Sequence, residues 1–191
     1  MLNFFQKMLI GYVLIIFDIN VGIDIVPDVI GYFIIAHALT NLKTVNGSKA
    51  AFTIAIILGL LSIFEMPIIS DIWTTNNETL LYFYRVVYHS LVLCYYYFIF
   101  EVCTHLLKGS YREDYTKKVR NFMLFTNWLL LVSNGIVLHG SEGAVAVFSL
   151  ILLICVAASI IVYFIYLYKM KRYAEYLEEE QKRTVLESTA L

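Results

Sequence analysis

Two pairs of side chains hold most of this chain's capacity for chemistry, and both lie on one apolar stretch, LYFYRVVYHSLVLCYYYFIFEVCTHLL, Leu81 to Leu107. Arg85 and His89 are four residues apart and so share a helix face. Glu101 and His105 repeat that spacing further along. A guanidinium next to an imidazole, with a carboxylate in reach, is equipped for acid–base work or for holding a charged solute. The carboxylates at a matching depth are Glu65 in the preceding apolar run and Asp18 or Asp28 near the N-terminus. An Arg at membrane depth is costly, and such residues pair inside the bundle or face water. The expectation is therefore that one of these three meets Arg85. The same pair also reads as a structural pin that fixes helix register, or the Arg snorkels outward. The two pairs face different neighbours, since sixteen residues turn an ideal helix by about 160°. That disfavours a single straight polar conduit along this helix, although a kink or long tilt weakens the objection.

Catalytic signatures are absent. No G-x-S-x-G, H-E-x-x-H or phosphate-loop pattern occurs, and VGID around Asp24 is not the pattern of an intramembrane aspartyl protease. Four histidines raise the question of haem, which paired histidines on neighbouring helices hold as axial ligands. His89 and His105, however, point about 160° apart, and His139 sits at the edge of a turn. Cys94, Cys103 and Cys155 all lie in apolar runs, and the first two, nine residues apart, occupy opposite helix faces and cannot bridge each other. They read as buried small apolar residues. No catalytic residue, metal, cofactor or nucleic-acid partner is expected.

The elements that must position these residues follow from composition. The 191 residues are 60% hydrophobic and 15% charged, against about 45–50% and about 25% in a soluble domain. A bilayer crossing needs about 17–25 apolar residues. Six runs qualify or nearly do: Leu2–Phe17, Pro27–Leu42, Ala50–Met66, Leu80–Leu107, Phe122–Leu138 and Ala144–Tyr168. The first two span roughly 24 Å each, slightly less than the hydrocarbon core. The fourth is long enough that it must tilt, kink or protrude. MLNFFQKMLIGYVLIIF lacks the basic lead and cleavage site of a signal peptide and reads as a retained segment. Pro27 suits a first helical position, and Asp28 suits the first turn.

Charge placement sets the orientation. Of the 14 Lys and Arg, all except Arg85 fall at one end of these runs: Lys7, Lys43, Lys49, Lys108, Arg112, Lys117, Lys118, Arg120, Lys169, Lys171, Arg172, Lys182 and Arg183. The positive-inside rule puts that end, and both termini, in the cytoplasm. Lys7 and Lys43 share a side, so the segment between them crosses twice or forms a re-entrant hairpin; two short crossings are favoured over a loop whose backbone needs cover. The outer rim holds Asp18, Asp24, Asp28, Asp71, Glu78 and Glu142, with Glu65 about one turn inside. These acids either simply solvate the outer loops or form a vestibule that concentrates a cation. Tyr95, Tyr96 and Tyr97 lie mid-run, deeper than an interfacial belt; Asn127, Ser133 and Asn134 are expected partners for their hydroxyls. Ala55 and Gly59 form one small-x-x-x-small pair. The tail from Lys169 extends the last helix, with Glu178–Lys182 and Glu179–Arg183 as favourable pairs and Lys169 to Arg172 at the anionic inner leaflet.

FDINVGIDIVPDVIGYFIIAHAL resembles the N-terminal hairpin of a group of uncharacterised small membrane proteins of Gram-positive bacteria, with a pattern like N-x-G-I-D-x-x-P-D-x-I-G-Y. The matching residues are Asn20, Gly22, Ile23, Asp24, Pro27, Asp28, Ile30, Gly31 and Tyr32. The resemblance implies a bacterial cytoplasmic membrane and carries no activity.

The sequence therefore predicts an all-α bundle of six transmembrane helices over residues 1–172, opening with a short helical hairpin, and a charged cytoplasmic helical tail over 173–191. Two functions fit. One is a non-catalytic accessory or regulatory subunit that acts in the bilayer through a protein partner of its tail. The other is a small transporter or channel for a cation or polar solute, with an acidic outer vestibule above Arg85 and His89.

Overall fold

The computed structural model describes residues 1–16, 27–63, 78–139 and 141–189, and all regular structure among them is helical. The helices are α1 (Leu2–Ile16), α2 (Pro27–Leu39) continued by a 3-10 turn (Thr40–Leu42), α3 (Ser48–Ser62), α4 (Glu78–Leu106), α5 (Glu113–His139) and α6 (Glu142–Thr189). Each packs against its neighbours in the chain, and α6 closes against α1, so the helices form a ring.

Local chemistry explains the boundaries. Pro27 opens α2, with Asp28 in its first turn, as the sequence predicts. Gly47 ends the α2–α3 turn at φ 80°, a left-handed conformation that glycine adopts without Cβ strain. The Ser48 hydroxyl then donates to the Leu39 carbonyl at 3.3 Å and fastens the start of α3 to the end of α2. Gly109 does the same for the α4–α5 turn at φ 77°. There the Glu113 carboxylate accepts the Gly109 N–H at 2.9 Å and pairs with Lys117 Nζ at 2.6 Å.

α5 starts at Glu113, well before the apolar run that begins at Phe122. Its polar first turns are helical because one face is apolar and packed: Thr116 and Val119 are buried, and the Tyr115 ring lies 5.9 Å from that of Tyr166 on α6.

Among the described residues, only α4, over Leu80–Leu106, and α6, over Val145–Ser188, are long and apolar enough to cross a bilayer on length and hydropathy; α1, α2 and α3 are shorter apolar helices. α6 is continuous for 48 residues, about 72 Å at 1.5 Å per residue.

Glycines let three of the helices approach closely. A Cβ on Gly31 would lie 2.6 Å from the Gly11 carbonyl oxygen, and one on Gly11 would lie 2.7 Å from that of Gly31. The α1 and α2 backbones therefore touch at this point. On the other side of α2, a Cβ on Gly59 would lie 3.2 Å from the Tyr32 Cβ. The Ala55–Gly59 pair is thus the α2–α3 contact face, with Ala55 fully buried.

Large side chains are buried toward the end that carries the Gly47 and Gly109 turns. Phe5 and Met8 on α1, Ile35 and Leu39 on α2, Ile99 and Phe100 on α4, and Tyr166 and Met170 on α6 are all essentially inaccessible. The outer faces are apolar on every helix, for example Ile10, Phe33, Leu60, Phe83, Phe125 and Leu153.

Gly31→Ala should destabilise the purified protein by about 1–3 kcal/mol, because the methyl group meets the Gly11 carbonyl oxygen, which cannot move aside, as well as the Ile15 side chain. Gly135→Ala, where a Cβ meets nothing within 4 Å, should be neutral or slightly stabilising. Thermal unfolding in detergent measures both.

At the α4–α5 turn, the Lys117 ammonium and the Gly109 N–H hold the Glu113 carboxyl below the usual carboxylate range. A depressed folded pKa contributes stability above the ordinary carboxylate pKa and loses it as pH falls through the folded value. Intrinsic-rate-corrected amide exchange at Gly109 should therefore quicken on the acid side, and Glu113→Gln should abolish that step.

Candidate functional site

Tyrosine rings fill the space between α1, α2, α4 and α6. Tyr12 on α1 meets Tyr163 on α6 edge to face, with centroids 4.5 Å apart. Tyr96 on α4 meets the same Tyr163 at 5.3 Å. Tyr95 turns instead toward Tyr32 on α2, at 6.1 Å. Tyr166 stacks on Tyr163 at 6.2 Å, and Phe100 lies 5.7 and 5.4 Å from these two rings. Edge-to-face and offset geometries of this kind contribute beyond area burial.

The hydroxyls are unevenly satisfied. Tyr166 and Thr116 share a hydrogen bond at 3.3 Å, and Tyr32 and Tyr88 share one at 3.4 Å. Tyr12 donates to the Ile160 carbonyl at 3.5 Å and also reaches the Tyr96 hydroxyl. Tyr84 donates to the Leu61 carbonyl at 3.0 Å. The hydroxyl oxygens of Tyr95 and Tyr163 are buried and meet no hydrogen-bond partner among the described residues. Among the described residues no His, Asp or Glu is wholly buried, although the Asp28 Oδ1 is inaccessible. The ring hydroxyls of the cluster can donate and accept hydrogen bonds.

The residues singled out in the sequence lie elsewhere. Arg85 is exposed on α4 and closes no ion pair among the described residues. His89 is half-buried, with its ring edge-on to Tyr88 at 5.8 Å. Asp28 is half-buried in the first turn of α2. Asp18, Asp24, Glu65 and Asp71 fall outside the described residues, as do the side chains of Glu78 and Glu142, whose backbones open α4 and α6. The outer acidic rim is thus not described as a unit.

Glu101 and His105 share a face without joining into a site: Glu101 faces Arg120 of α5 at 3.9 Å, and His105 is exposed. Asn127 and Asn134 donate to carbonyls of their own helix, Met123 at 2.8 Å and Leu130 at 3.2 Å, and Ser133 does likewise. They are not the tyrosines' partners. Three consecutive tyrosines leave a helix in three directions, about 100° apart. Tyr95 and Tyr96 point inward, away from α5, and Tyr97 is exposed. Cys103 is buried as expected, but Cys94 faces outward.

Of the residues that build the interior, Tyr12, Tyr163 and Tyr166 are not marked in the sequence, and Tyr32 enters there only through the hairpin pattern. The available signal was the count of 15 tyrosines, several placed mid-run rather than at run ends, where an interfacial belt would put them.

No family model matches the chain, and no curated protein or solved structure matches it either.

Tyr163→Phe keeps the ring and removes a buried donor that meets no acceptor among the described residues. It should raise stability by about 1 kcal/mol, whereas Tyr166→Phe, which loses the Thr116 bond, should lower it by about 0.5–1.5 kcal/mol. Unfolding midpoints of the two variants, read against wild type, should move in opposite directions.

Proposed function

We propose that this chain is a non-catalytic multi-pass membrane protein of a bacterial cytoplasmic membrane, and that it acts as an accessory or regulatory subunit through its cytoplasmic C-terminal helix. In this reading all six helices lie in the bilayer and both termini are cytoplasmic. The observation that carries it is α6. Its last buried residue is Ala174, yet the helix continues to Thr189, with every residue from Glu179 to Ser188 exposed.

Such a projection is charged and ordered by its own pairs. Lys182 meets Glu178 at 3.0 Å, and Lys171 and Arg172 both reach Glu175, at 3.4 and 3.8 Å. Exposed Tyr176 gives it an aromatic anchor of the kind that interfaces favour. Membrane embedding of the whole ring is supported by the exposed large apolar side chains on every helix. Contiguous apolar surface of this sort marks contact with lipid or partners. The resemblance of the N-terminal hairpin to small membrane proteins of Gram-positive bacteria points the same way.

A second reading, transport of a cation or polar solute, draws on one observation: the two buried hydroxyls of Tyr95 and Tyr163, which meet no partner among the described residues. Against it stand an interior filled with rings and an Arg85 that is exposed rather than enclosed.

Two measurements separate them. Capture of the full chain from mild detergent should return a stoichiometric partner that Tyr176→Ser with Arg183→Glu releases, at unchanged bundle stability. Recovery of this chain alone, across growth conditions, would contradict the subunit reading. Flux into proteoliposomes that Asp28→Asn and Arg85→Ala reduce at least tenfold would establish the second reading instead.

A further inference from the structure

Two concavities meet on the outer face of α4. The first, about 480 Å³, lies at the α2–α3 turn; its polar lining is Lys43, Thr44, Asn46, Lys49 and Glu101. The second, about 550 Å³, runs between α4 and α5 and is apolar throughout, with Leu93, Cys94, Leu124, Phe125 and Trp128 on its walls. Tyr97 and Phe98 line both. A polar pocket and an apolar groove therefore share the Tyr97–Phe98 wall, and from Glu101 to Leu93 the pair extends about 12 Å along α4.

The charges in the polar pocket do not cancel. Lys43 and Lys49 are exposed, and neither closes an ion pair among the described residues. The pocket's carboxylate, Glu101, already faces the Arg120 guanidinium at 3.9 Å. Two ammonium groups are thus left to face an anion, with the Asn46 amide and the Thr44 hydroxyl beside them as neutral donors. The groove lacks any such group. Its rim is aromatic, with Phe125 and Trp128 stacked at 6.4 Å and all of Tyr97, Phe125 and Trp128 exposed.

We propose that this composite surface binds one anionic phospholipid of the inner leaflet, its phosphate between Lys43 and Lys49 and an acyl chain in the α4–α5 groove beside Trp128. The inference rests on the reading of the chain as membrane-embedded. A free phosphate would use the pocket and leave the groove empty. A zwitterionic lipid would fill the groove and gain little from two uncompensated lysines. A lipid with a net negative headgroup satisfies both halves at once, and a Lys or Arg near the surface favours an anionic lipid over a neutral one by about fivefold.

The test uses the full-length chain carrying Trp73→Phe, which leaves Trp128 as its single tryptophan. The protein is reconstituted in phosphatidylcholine vesicles, and the probe is phosphatidylglycerol or phosphatidylcholine with brominated acyl chains, which quench a nearby indole. The brominated phosphatidylglycerol should quench Trp128 at a far lower mole fraction than the brominated phosphatidylcholine. Lys43→Gln with Lys49→Gln, both at exposed positions, should reduce that preference by about twenty-fivefold while leaving quenching by phosphatidylcholine and the unfolding midpoint unchanged. Equal quenching by the two lipids, or a preference that survives loss of both lysines, overturns the site. Loss of the preference on adding inorganic phosphate, but not chloride at equal ionic strength, assigns the lysines to free phosphate and overturns it too. Failure of the protein to float with the vesicles at all overturns the membrane reading itself, an outcome distinct from the other three.

Discussion

Contact between two backbones governs this structure. Where α1 crosses α2, Gly11 and Gly31 face each other so closely that a methyl group on either would strike the other's carbonyl oxygen. Apolar side chains gain little from leaving lipid for one another, so helices in a bilayer associate through close packing and hydrogen bonds, and small residues permit that closeness. Each glycine is followed by a tyrosine, Tyr12 and Tyr32, and both are buried. The crossing thus delivers two phenol rings to the interior from adjacent helices. Gly59 extends the device by bringing α3 against the Tyr32 Cβ.

The rest of the interior is built on those two rings. Tyr12 seats Tyr163, which closes α6 onto α1, and Tyr32 seats Tyr95, which ties α4 across the ring to α2. Aromatic side chains suit this role, since each brings a large rigid surface with few rotors to immobilise. The polarity pattern departs from that of a soluble bundle: aliphatic side chains cover the outside as well as the core, and hydroxyl-bearing rings lie among them inside. Most charges among the described residues lie on the turns, on the polar start of α5 and on the projecting end of α6, with Lys7 on α1 and Arg85 and Glu101 on α4 among the exceptions. This separation lets one long helix serve as both a wall of the bundle and an arm beyond it.

Much of the architecture is legible in the sequence. The all-helical class, the opening of α2 at Pro27, the continuous α4 and the extension of the last helix into the tail follow from run length, proline placement and charge. The start of α5 is not, because hydropathy alone cannot show that the charged stretch from Glu113 carries a buried stripe at Thr116 and Val119. The interior is least legible. Attention goes naturally to the ionisable residues of an apolar chain, here Arg85, His89, Glu101 and His105, but these lie on exposed or partly exposed faces. Most of the buried polar groups belong instead to tyrosines, whose hydroxyls a hydropathy scale barely registers, and to Ser, Thr and Asn residues such as Ser48, Thr116 and Asn127. One clue lies in plain view: the tripeptide Ile-Gly-Tyr occurs at residues 10–12 and again at 30–32, a small residue for contact followed by a ring for the interior. Direction also matters. A run such as Tyr95 to Tyr97 suggests a common environment, yet helical geometry sends two of its rings inward and one outward.

The account depends most on the six helices crossing the bilayer in alternation, so that the turns at Thr44 and Ser110 lie on one side and the turn at Ser141 on the other. Single cysteines at these positions, in a chain whose Cys94, Cys103 and Cys155 are replaced by serine, report this directly through a membrane-impermeant maleimide. Ser141→Cys should react in intact cells, and Thr44→Cys and Ser110→Cys only after permeabilisation. Reaction of Ser110→Cys and Ser141→Cys from the same side would contradict the six-crossing bundle and everything built on it.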